Sequence, residues 1–145
     1  MAQATVTVER IEASLLEQGY STSRLDNGVL SGIWNGQEIN ISCSRDWLRV
    51  ETSWDPARWS DVYSTLPEDT QLELATLACE QWNSTHVQPR AYPLHEPTGW
   101  FINLDVVAGC RHGWNDQQLT AYLTFALTAA VMGAEDVSAF LPPLV

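Results

Sequence analysis

Residues 29–54 read VLSGIWNGQEINISCSRDWLRVETSW, and this stretch decides the fold. In its second and third runs, apolar residues recur at every second position with polar residues between them, which is the period of a half-buried β-strand. Asn35-Gly36 separates the first two runs, and both residue types tolerate the positive φ angles of a two-residue hairpin turn. Ser44-Arg45-Asp46 provides the next turn. The stretch predicts three consecutive antiparallel strands with one apolar face and one polar face.

Helical patterns lie on both sides of these strands. Thr7 to Gln18 has apolar residues at helical spacing, with Thr7 as the N-cap and Gly19 just past the end. A second helix is predicted from Asp69 to Asn83. A third follows Asn115 and Gln118, which have the spacing of a capping box.

Two further strands complete the pattern, at Arg90–His95 and Trp100–Val106, and Pro93 assigns the first of them to a sheet edge. The predicted fold class is α+β, in the order α-β-β-β-α-β-β-α. A five-stranded antiparallel sheet has its helices packed on the apolar face. Residues 1–145 form a single domain with an apolar C-terminal tail from about residue 135.

The run EQWNSTH at residues 80–86 predicts how the second helix ends. Trp82 is the last apolar residue of the buried face and contributes the largest area to it. Asn83 tolerates the left-handed conformation that terminates helices. We therefore interpret Trp82 and Asn83 as a structural anchor followed by a stop.

Composition excludes several classes of function. The formal net charge is −11 and the chain contains no lysine, so nucleic acid is not an expected partner and no Walker or Schiff-base lysine exists. Three cysteines at scattered spacings and a charged N-terminal stretch favour the cytoplasm. Residues 117–134 carry no charge, but their Gln and Thr content and the lack of a basic flank argue against a membrane span.

No reactive constellation is evident. Cys110 and His112 are two residues apart, which is too weak a signal for a nucleophilic pair. The cysteines and histidines have no recognised metal-ligand spacing, and no pair of carboxylates can be named for acid–base catalysis. We predict no enzyme activity, no cofactor and no metal site.

The last helix is apolar on two sides, and such a helix is usually covered on both. One stripe, formed by Leu119, Leu123, Ala126 and Ala130, suits the sheet. The opposite stripe contains Ala121, Phe125 and Met132, and either Phe140-Leu141 of the tail or a partner chain could cover it. Together with nearby Trp114, these three residues are the predicted protein-binding site.

Two further expectations concern the sheet. Trp54, Trp82 and Trp100 fall on apolar faces, and a ligand pocket among them would make the protein a small-molecule or peptide sensor. The polar face is expected to be ordinary solvent-facing surface; its members include Asn40, Ser42, Arg49, Glu51 and Asn103. The other four tryptophans, Trp34, Trp47, Trp59 and Trp114, either cover core edges or belong to binding surfaces.

Three stretches resemble a known family: LDNGVLSGIWNGQEINIS, LATLACEQWNST and FINLDVVAGCRHGWNDQQLTAYL. The sequence resembles the YbjN family, described as bacterial sensory transduction regulators, whose fold is like that of type III secretion chaperones. The similarity extends from about Val6 to about Met132, and Trp82-Asn83 is its sharpest feature. It implies the same α-β-β-β-α-β-β-α order, dimers and protein partners, and it supplies no catalytic residues.

The leading hypothesis is a non-enzymatic protein-binding module, regulatory or chaperone-like, acting in the bacterial cytoplasm as a homodimer. The alternatives are the sensor with a pocket between sheet and helices and a cysteine-dependent enzyme using Cys110 and His112.

Overall fold

A computed structural model describes residues 3–59 and 61–141 of the chain. Its strands are β1 (Ser23–Arg24), β2 (Leu30–Trp34), β3 (Gln37–Cys43), β4 (Trp47–Trp54), β5 (Arg90–Glu96) and β6 (Gly99–Gly109). Its helices are α1 (Val8–Glu17), the short α2 (Asp61–Ser64), α3 (Glu68–Thr85) and α4 (Asp116–Asp136), and 3₁₀ turns cover Pro56–Arg58 and Val137–Phe140. The predicted α+β class and the order of the main elements are confirmed.

The strands form one antiparallel sheet in the order β1-β2-β3-β4-β6-β5. The first hairpin turns at Asn35 (φ 52°) and Gly36 (φ 77°), as the sequence predicts, because asparagine and glycine accept positive φ. Within the described residues the sheet has six strands and not five. β1 was not predicted, because a strand of two residues, Ser23 and Arg24, is too short to show an alternating pattern.

α4 lies across the centre of the sheet and packs on β3, β4 and β6, while α1 packs on α4 and α3 packs on β5. The helices share the apolar face of the sheet, as expected. The buried side of α4 contains Leu119, Leu123, Ala126, Leu127, Ala130, Gly133 and Ala134. α4 and the following turn are long and apolar enough to cross a membrane by length and composition alone, a test that core helices of soluble proteins also pass.

Two helix boundaries have clear local causes. Thr7 caps α1 by accepting a hydrogen bond from the Arg10 amide, and Asn115 and Gln118 form the predicted capping box of α4. The predicted stop at Asn83 is wrong, because α3 continues through Asn83 to Thr85. α4 extends to Asp136, and the 3₁₀ turn at Val137–Phe140 follows it directly.

Candidate functional site

The outward side of α4 carries a stripe of exposed apolar side chains. Phe125 and Met132 are each 53% exposed, and Ala121 is exposed one turn before Phe125. They remain at the surface because the opposite side of the helix faces the sheet, and a helix can turn only one side toward it. The part of the tail that the structure describes does not cover them: Phe140 packs edge-on against Trp82, and Leu141 is buried in the core.

This stripe forms one wall of a groove of about 660 Å³. The other wall comes from the C-terminal end of α3 and the connection to β5, and it contains Trp82, His86, Gln88 and Pro89. The volume lies in the range of typical ligand and peptide pockets. We call this feature the α4 groove.

The second wall of the α4 groove is held by several specific contacts. The Trp82 indole N–H donates to the Pro89 carbonyl at 2.8 Å, and the His86 ring stacks on Trp82 with centroids 3.7 Å apart. Asn83 clamps α3 to β5, because its Oδ1 accepts from the Ala91 amide at 2.9 Å and its Nδ2 donates to the Ala91 carbonyl at 2.8 Å. Asn83 therefore connects two elements, a role that its predicted function as a helix stop did not anticipate.

Gly133 sets the distance between the two walls. A Cβ at this position would lie 2.6 Å from Pro89 Cγ and 3.2 Å from Leu104 Cδ2. Such approaches are shorter than van der Waals contact, so only glycine allows Pro89 to pack directly on α4. The base of the groove is therefore closed by a close helix–loop contact.

A second, smaller cavity of about 460 Å³ lies on the other side of the same ridge of α4. The two cavities share Thr124, Thr128 and Met132. Ile33, which is 73% exposed, and Tyr20, which is 41% exposed, line the second cavity. The exposed side of α4 is therefore a ridge with a depression on each flank.

Trp114 does not belong to the α4 groove. Its ring packs 5.0 Å from that of Tyr122, beside the core. The backbone around it is tied to the N-terminal segment, because its amide donates to the Ala4 carbonyl and its carbonyl accepts from Arg10. The structure therefore brings together Ala121, Phe125 and Met132 of the predicted site and separates Trp114 from them.

Two of the three tryptophans of the sensor hypothesis, Trp54 and Trp100, pack against each other in an aromatic cluster, whereas Trp82 lines the α4 groove. Trp54, Trp82 and Trp100 are only 2–5% exposed. The Trp59 ring lies 5.9 Å from that of Trp54 and 5.8 Å from that of Trp100, and it stacks on Tyr63. This packing fills the core between Trp54 and Trp100 with aromatic rings.

The geometry argues against a Cys110–His112 nucleophilic pair. Cys110 is buried, and its thiol lies 3.9 Å from the carbonyl oxygens of Ser44 and Arg45, while His112 is exposed. Burial, with a contribution from Asp46, raises the pKa of the Cys110 thiol, which opposes formation of a nucleophilic thiolate. No group of three or more His, Cys, Asp or Glu within residues 3–59 and 61–141 could hold a metal ion.

The polar face of the sheet differs from the plain solvent-facing surface expected from the sequence. Asp105 is 2% exposed and Asn103 is 7% exposed, although both point away from the helices. Their neighbours on adjacent strands cover them, and the strand alternation could not reveal this, because it assigns a face but not the side chains that lie across it. A cavity of about 760 Å³ occupies this face.

The fold and its exposed helix define a small α+β protein with the architecture of type III secretion chaperones, in agreement with the resemblance seen in the sequence. The structure is similar to YbjN from E. coli, a proposed transcription regulator, with a TM-score of 0.65 at 13% identity over 97% of this chain and 100% of that one.

Two other solved structures share the fold. A protein from Methanothermobacter thermautotrophicus matches with a TM-score of 0.56 at 10% identity, over 94% of this chain and 100% of that one. A chain of the HopA1–SchA chaperone–effector complex matches with a TM-score of 0.50 at 14% identity, over 90% of this chain and 98% of that one. No protein-family model and no curated protein sequence matches the chain. These similarities concern the fold, which by itself does not determine function.

Proposed function

We propose that this chain is a non-enzymatic protein-binding module, regulatory or chaperone-like, that acts in the bacterial cytoplasm as a homodimer and uses the exposed side of α4 as its contact surface. The observation that carries the proposal is the exposure of Phe125 and Met132 on the wall of a preformed groove. Large apolar side chains grouped on one surface usually mark a contact site. A structural neighbour that is part of a chaperone–effector complex supports a protein as the partner.

The groove alone is too small to hold a stable complex. Covering the exposed half of Phe125 or Met132 contributes roughly 1 kcal/mol each, from about 1.5–3 kcal/mol for a fully buried side chain. A stable interface buries about 800 Å² on each partner. The contact must therefore continue across the ridge of α4 to the second cavity and Ile33.

Two features of this surface support a second copy of the chain as the partner. Residues 117–134 carry no charge, so two copies of a protein of net charge −11 can bring the central part of this helix together, with the charges of α4 confined to Asp116 at its start and to Glu135 and Asp136 at its end. The exposed threonines and alanines of α4 allow two helices to approach closely, and a two-fold axis would place the ridge of each copy against a depression of the other. Repulsion between the remaining acidic surfaces is screened at physiological salt.

Sedimentation equilibrium of the wild type and of Phe125→Asp tests this proposal. The wild type should be dimeric in the micromolar range. The symmetric interface would contain two copies of the introduced charge, each costing about 1.4 kcal/mol or more, so dimerisation should weaken about 100-fold. Leu77→Asp is the matched control, because Leu77 is 57% exposed on α3 and lies outside the α4 groove.

A wild type that stays monomeric at about 100 µM, corresponding to less than roughly 5.5 kcal/mol of association free energy, would refute the homodimer. Equal weakening by the Leu77 and Phe125 substitutions would show that α4 is not the interface. Thermal unfolding of both variants must show that they are folded before the sedimentation data are compared.

A further inference from the structure

The last part of β6 extends beyond its neighbour β5. β5 begins at Arg90, which is paired with Asp105, whereas β6 continues to Gly109. On the other side of this extension β4 remains paired with it, up to Trp47 opposite Gly109. Within the described chain, residues 106–109 therefore have a neighbouring strand on one side only. We call this stretch the β6 overhang.

The backbone groups of Val107 and Gly109 point to the open side of the β6 overhang. In an antiparallel ladder the N–H and C=O of one residue point to the same neighbour, and this direction alternates along the strand. The Cys110 amide points toward β4, because it donates to the carbonyl of Asp46 just before that strand. Val107 and Gly109, an odd number of positions away, therefore point in the opposite direction. Their backbone groups have no hydrogen-bond partner in the part of the chain that the structure describes.

The open edge is accessible. Val107 is 37% exposed and Gly109 is exposed, whereas residues 102–106 of the same strand are buried. The chain before β5 leaves the line of that strand, because Pro89 packs on α4, and Val87 is 94% exposed. An accessible row of unpaired N–H and C=O groups is a template for one more strand.

The outer edge of β5 is closed by comparison. The amide and the carbonyl of Ala91 are both bonded to the side chain of Asn83, and Pro93 has no N–H to offer. Because Ala91 points away from β6, Tyr92 directs its backbone toward β6, and its side chain lies on the polar face, where it contacts Asp105. A strand added in line with β5 has the same arrangement: its residues with side chains on the polar face pair with β6.

Arginines surround the β6 overhang. Arg90 lies beside its start, Arg111 follows two residues after its end, and Arg49 is on the paired part of β4. The Arg90 side chain is 61% exposed although it donates to the buried Asp105, and Arg111 is exposed and in no ion pair with a described residue. Asp46 is the one carboxylate in the two turns that adjoin the overhang. A concentration of positive charge on a chain of net charge −11 favours an acidic ligand at this place.

Apolar surface accompanies these charges on the polar face. Trp47 is 37% exposed, because Gly109 opposite it has no side chain to cover the indole. The Arg49 guanidinium lies 5.5 Å from the centre of the Trp47 ring. Val107, diagonal to Trp47 on the neighbouring strand, extends the same surface. An aromatic ring between arginines suits a ligand that carries both carboxylates and apolar groups.

We propose that the β6 overhang docks a short acidic segment of a partner protein, which adds to the sheet as a strand antiparallel to β6 and in line with β5. Its backbone pairs with Val107 and Gly109, and its carboxylates on the polar face contact Arg90 and Arg111. Main-chain hydrogen bonds then supply affinity and the side chains supply specificity. The overhang accommodates about four residues, roughly 13 Å of extended chain. The site goes beyond the proposed homodimer and does not depend on it.

The charges favour a foreign segment over a second copy of the chain. Pairing two β6 overhangs would bring Arg90 and Arg111 of both copies to the same place, and like charges oppose such an interface. Nucleic acid has no peptide groups to pair with Val107 and Gly109, and the net charge of −11 repels its phosphates.

Fluorescence anisotropy with a labelled six-residue peptide of alternating glutamate and valine tests the proposal. At low salt the peptide should bind with a dissociation constant of about 10–100 µM. The same peptide with glutamine in place of glutamate has similar shape and no charge, and it should bind at least about tenfold more weakly. Equal affinity for the two peptides, or no binding of the acidic one at about 1 mM protein, would overturn the proposal.

N-methylation of the peptide distinguishes strand addition from simple charge attraction. With the glutamates on the polar face, their N–H groups point toward β6, and those of the valines point to solvent. Methylation of the glutamate nitrogens should therefore abolish binding, and methylation of the valine nitrogens should preserve it. If both methylated peptides bind as well as the parent peptide, or if only the valine-methylated one fails, the proposed strand is wrong.

Variants of the protein locate the binding. Val107→Pro removes an N–H that faces the open side and no bond to β4, so the sheet should tolerate it, and peptide binding should weaken at least about tenfold. Arg111→Gln should weaken binding about three- to tenfold. Arg24→Gln is the matched control, because it removes the same charge from β1, where Arg24 contacts Glu9 and Glu12. Equal effects of the two arginine substitutions would show general electrostatic attraction and overturn the site. Circular dichroism must first show that each variant is folded.

Three outcomes would assign the overhang or the peptide differently. Phe125→Asp should bind the peptide as the wild type does, and weaker binding by this variant would place the peptide in the α4 groove. Loss of dimerisation in Val107→Pro would identify a second copy as the occupant of the overhang. Tighter binding of a labelled oligothymidylate than of the acidic peptide would identify nucleic acid. Each of these results contradicts the proposal.

Discussion

The side chain of Asn83 provides a test of how α3 is held to the sheet. The structure places Asn83 inside the helix, with two hydrogen bonds to the backbone of Ala91 at 2.8 and 2.9 Å. Each partly buried bond contributes about 0.5–1 kcal/mol, so Asn83→Ala should lose about 1–2 kcal/mol. Alanine recovers about 0.5 kcal/mol through its higher helix propensity. The expected net loss in the free energy of unfolding is about 1 kcal/mol.

Comparison with Asn83→Gly separates the two possible roles of this residue. Glycine loses the same hydrogen bonds and adds a propensity cost of up to about 1 kcal/mol relative to alanine in a helix. The glycine variant should therefore be less stable than the alanine variant. At a left-handed helix terminus the order would be reversed, because alanine in that conformation costs about 1–2 kcal/mol.

Urea unfolding at 25 °C, followed by tryptophan fluorescence and circular dichroism, measures these differences. Gln81→Ala, at an exposed neighbouring position on α3, is the control and should change the free energy of unfolding by less than about 0.5 kcal/mol. A glycine variant more stable than the alanine variant would refute the clamp and restore the interpretation of Asn83 as a helix stop. Loss of stability equal to that of the control would show that the contacts to Ala91 contribute nothing.

Three other substitutions or conditions test separate features. Gly133→Ala should lower the free energy of unfolding by about 1–2 kcal/mol, because the added Cβ would overlap the Pro89 ring. This loss should exceed the gain from the better helix propensity of alanine. Increased stability in urea unfolding would contradict the close contact. Burial raises the pKa of Cys79 to about 12, so its thiol should react with a disulfide reagent at pH 8 only after denaturation, and rapid reaction of the native protein would show that it is exposed. Burial also raises the pKa of Tyr92 and Tyr122, so the unfolded state loses the protons of these phenols at lower pH than the folded state does. The free energy of unfolding should therefore fall as pH rises above about 10. Unfolding curves that do not change between pH 9 and 11 would contradict the burial of these two side chains.

Local signals in the sequence were sufficient for most elements. Asn35-Gly36 predicts the hairpin because its φ requirements are a property of those two residues, and Asn115 with Gln118 predicts the start of α4 because a capping box involves only neighbours along the chain. The proline in β5 predicts an edge strand, and β5 is the last strand of the sheet. Each of these features depends on interactions within a few residues.

The candidate site was predicted only in part. Helical periodicity places Ala121, Phe125 and Met132 on one side of α4, and the structure confirms that geometry. Helical periodicity does not show that Trp82 and Pro89 form the facing wall, since their place beside α4 depends on where α3 and β5 pack in the folded protein. Trp114 lies away from the groove because the N-terminal segment holds its backbone, a contact between residues more than 100 positions apart.

The sequence by itself determined the alternation of strands, the apolar stripes of the helices, the turn at Asn35-Gly36 and the acidic net charge, because all of these are properties of residue type and spacing. Only the tertiary structure decided that Asn83 joins α3 to β5 and that Asp105 is buried on the polar face with Tyr92 and Arg90 around it. It also decided that Phe125 remains uncovered within the described chain. The physical reason is that burial and hydrogen-bond pairing depend on which elements become neighbours in space, and one-dimensional periodicity carries no information about partners distant in sequence.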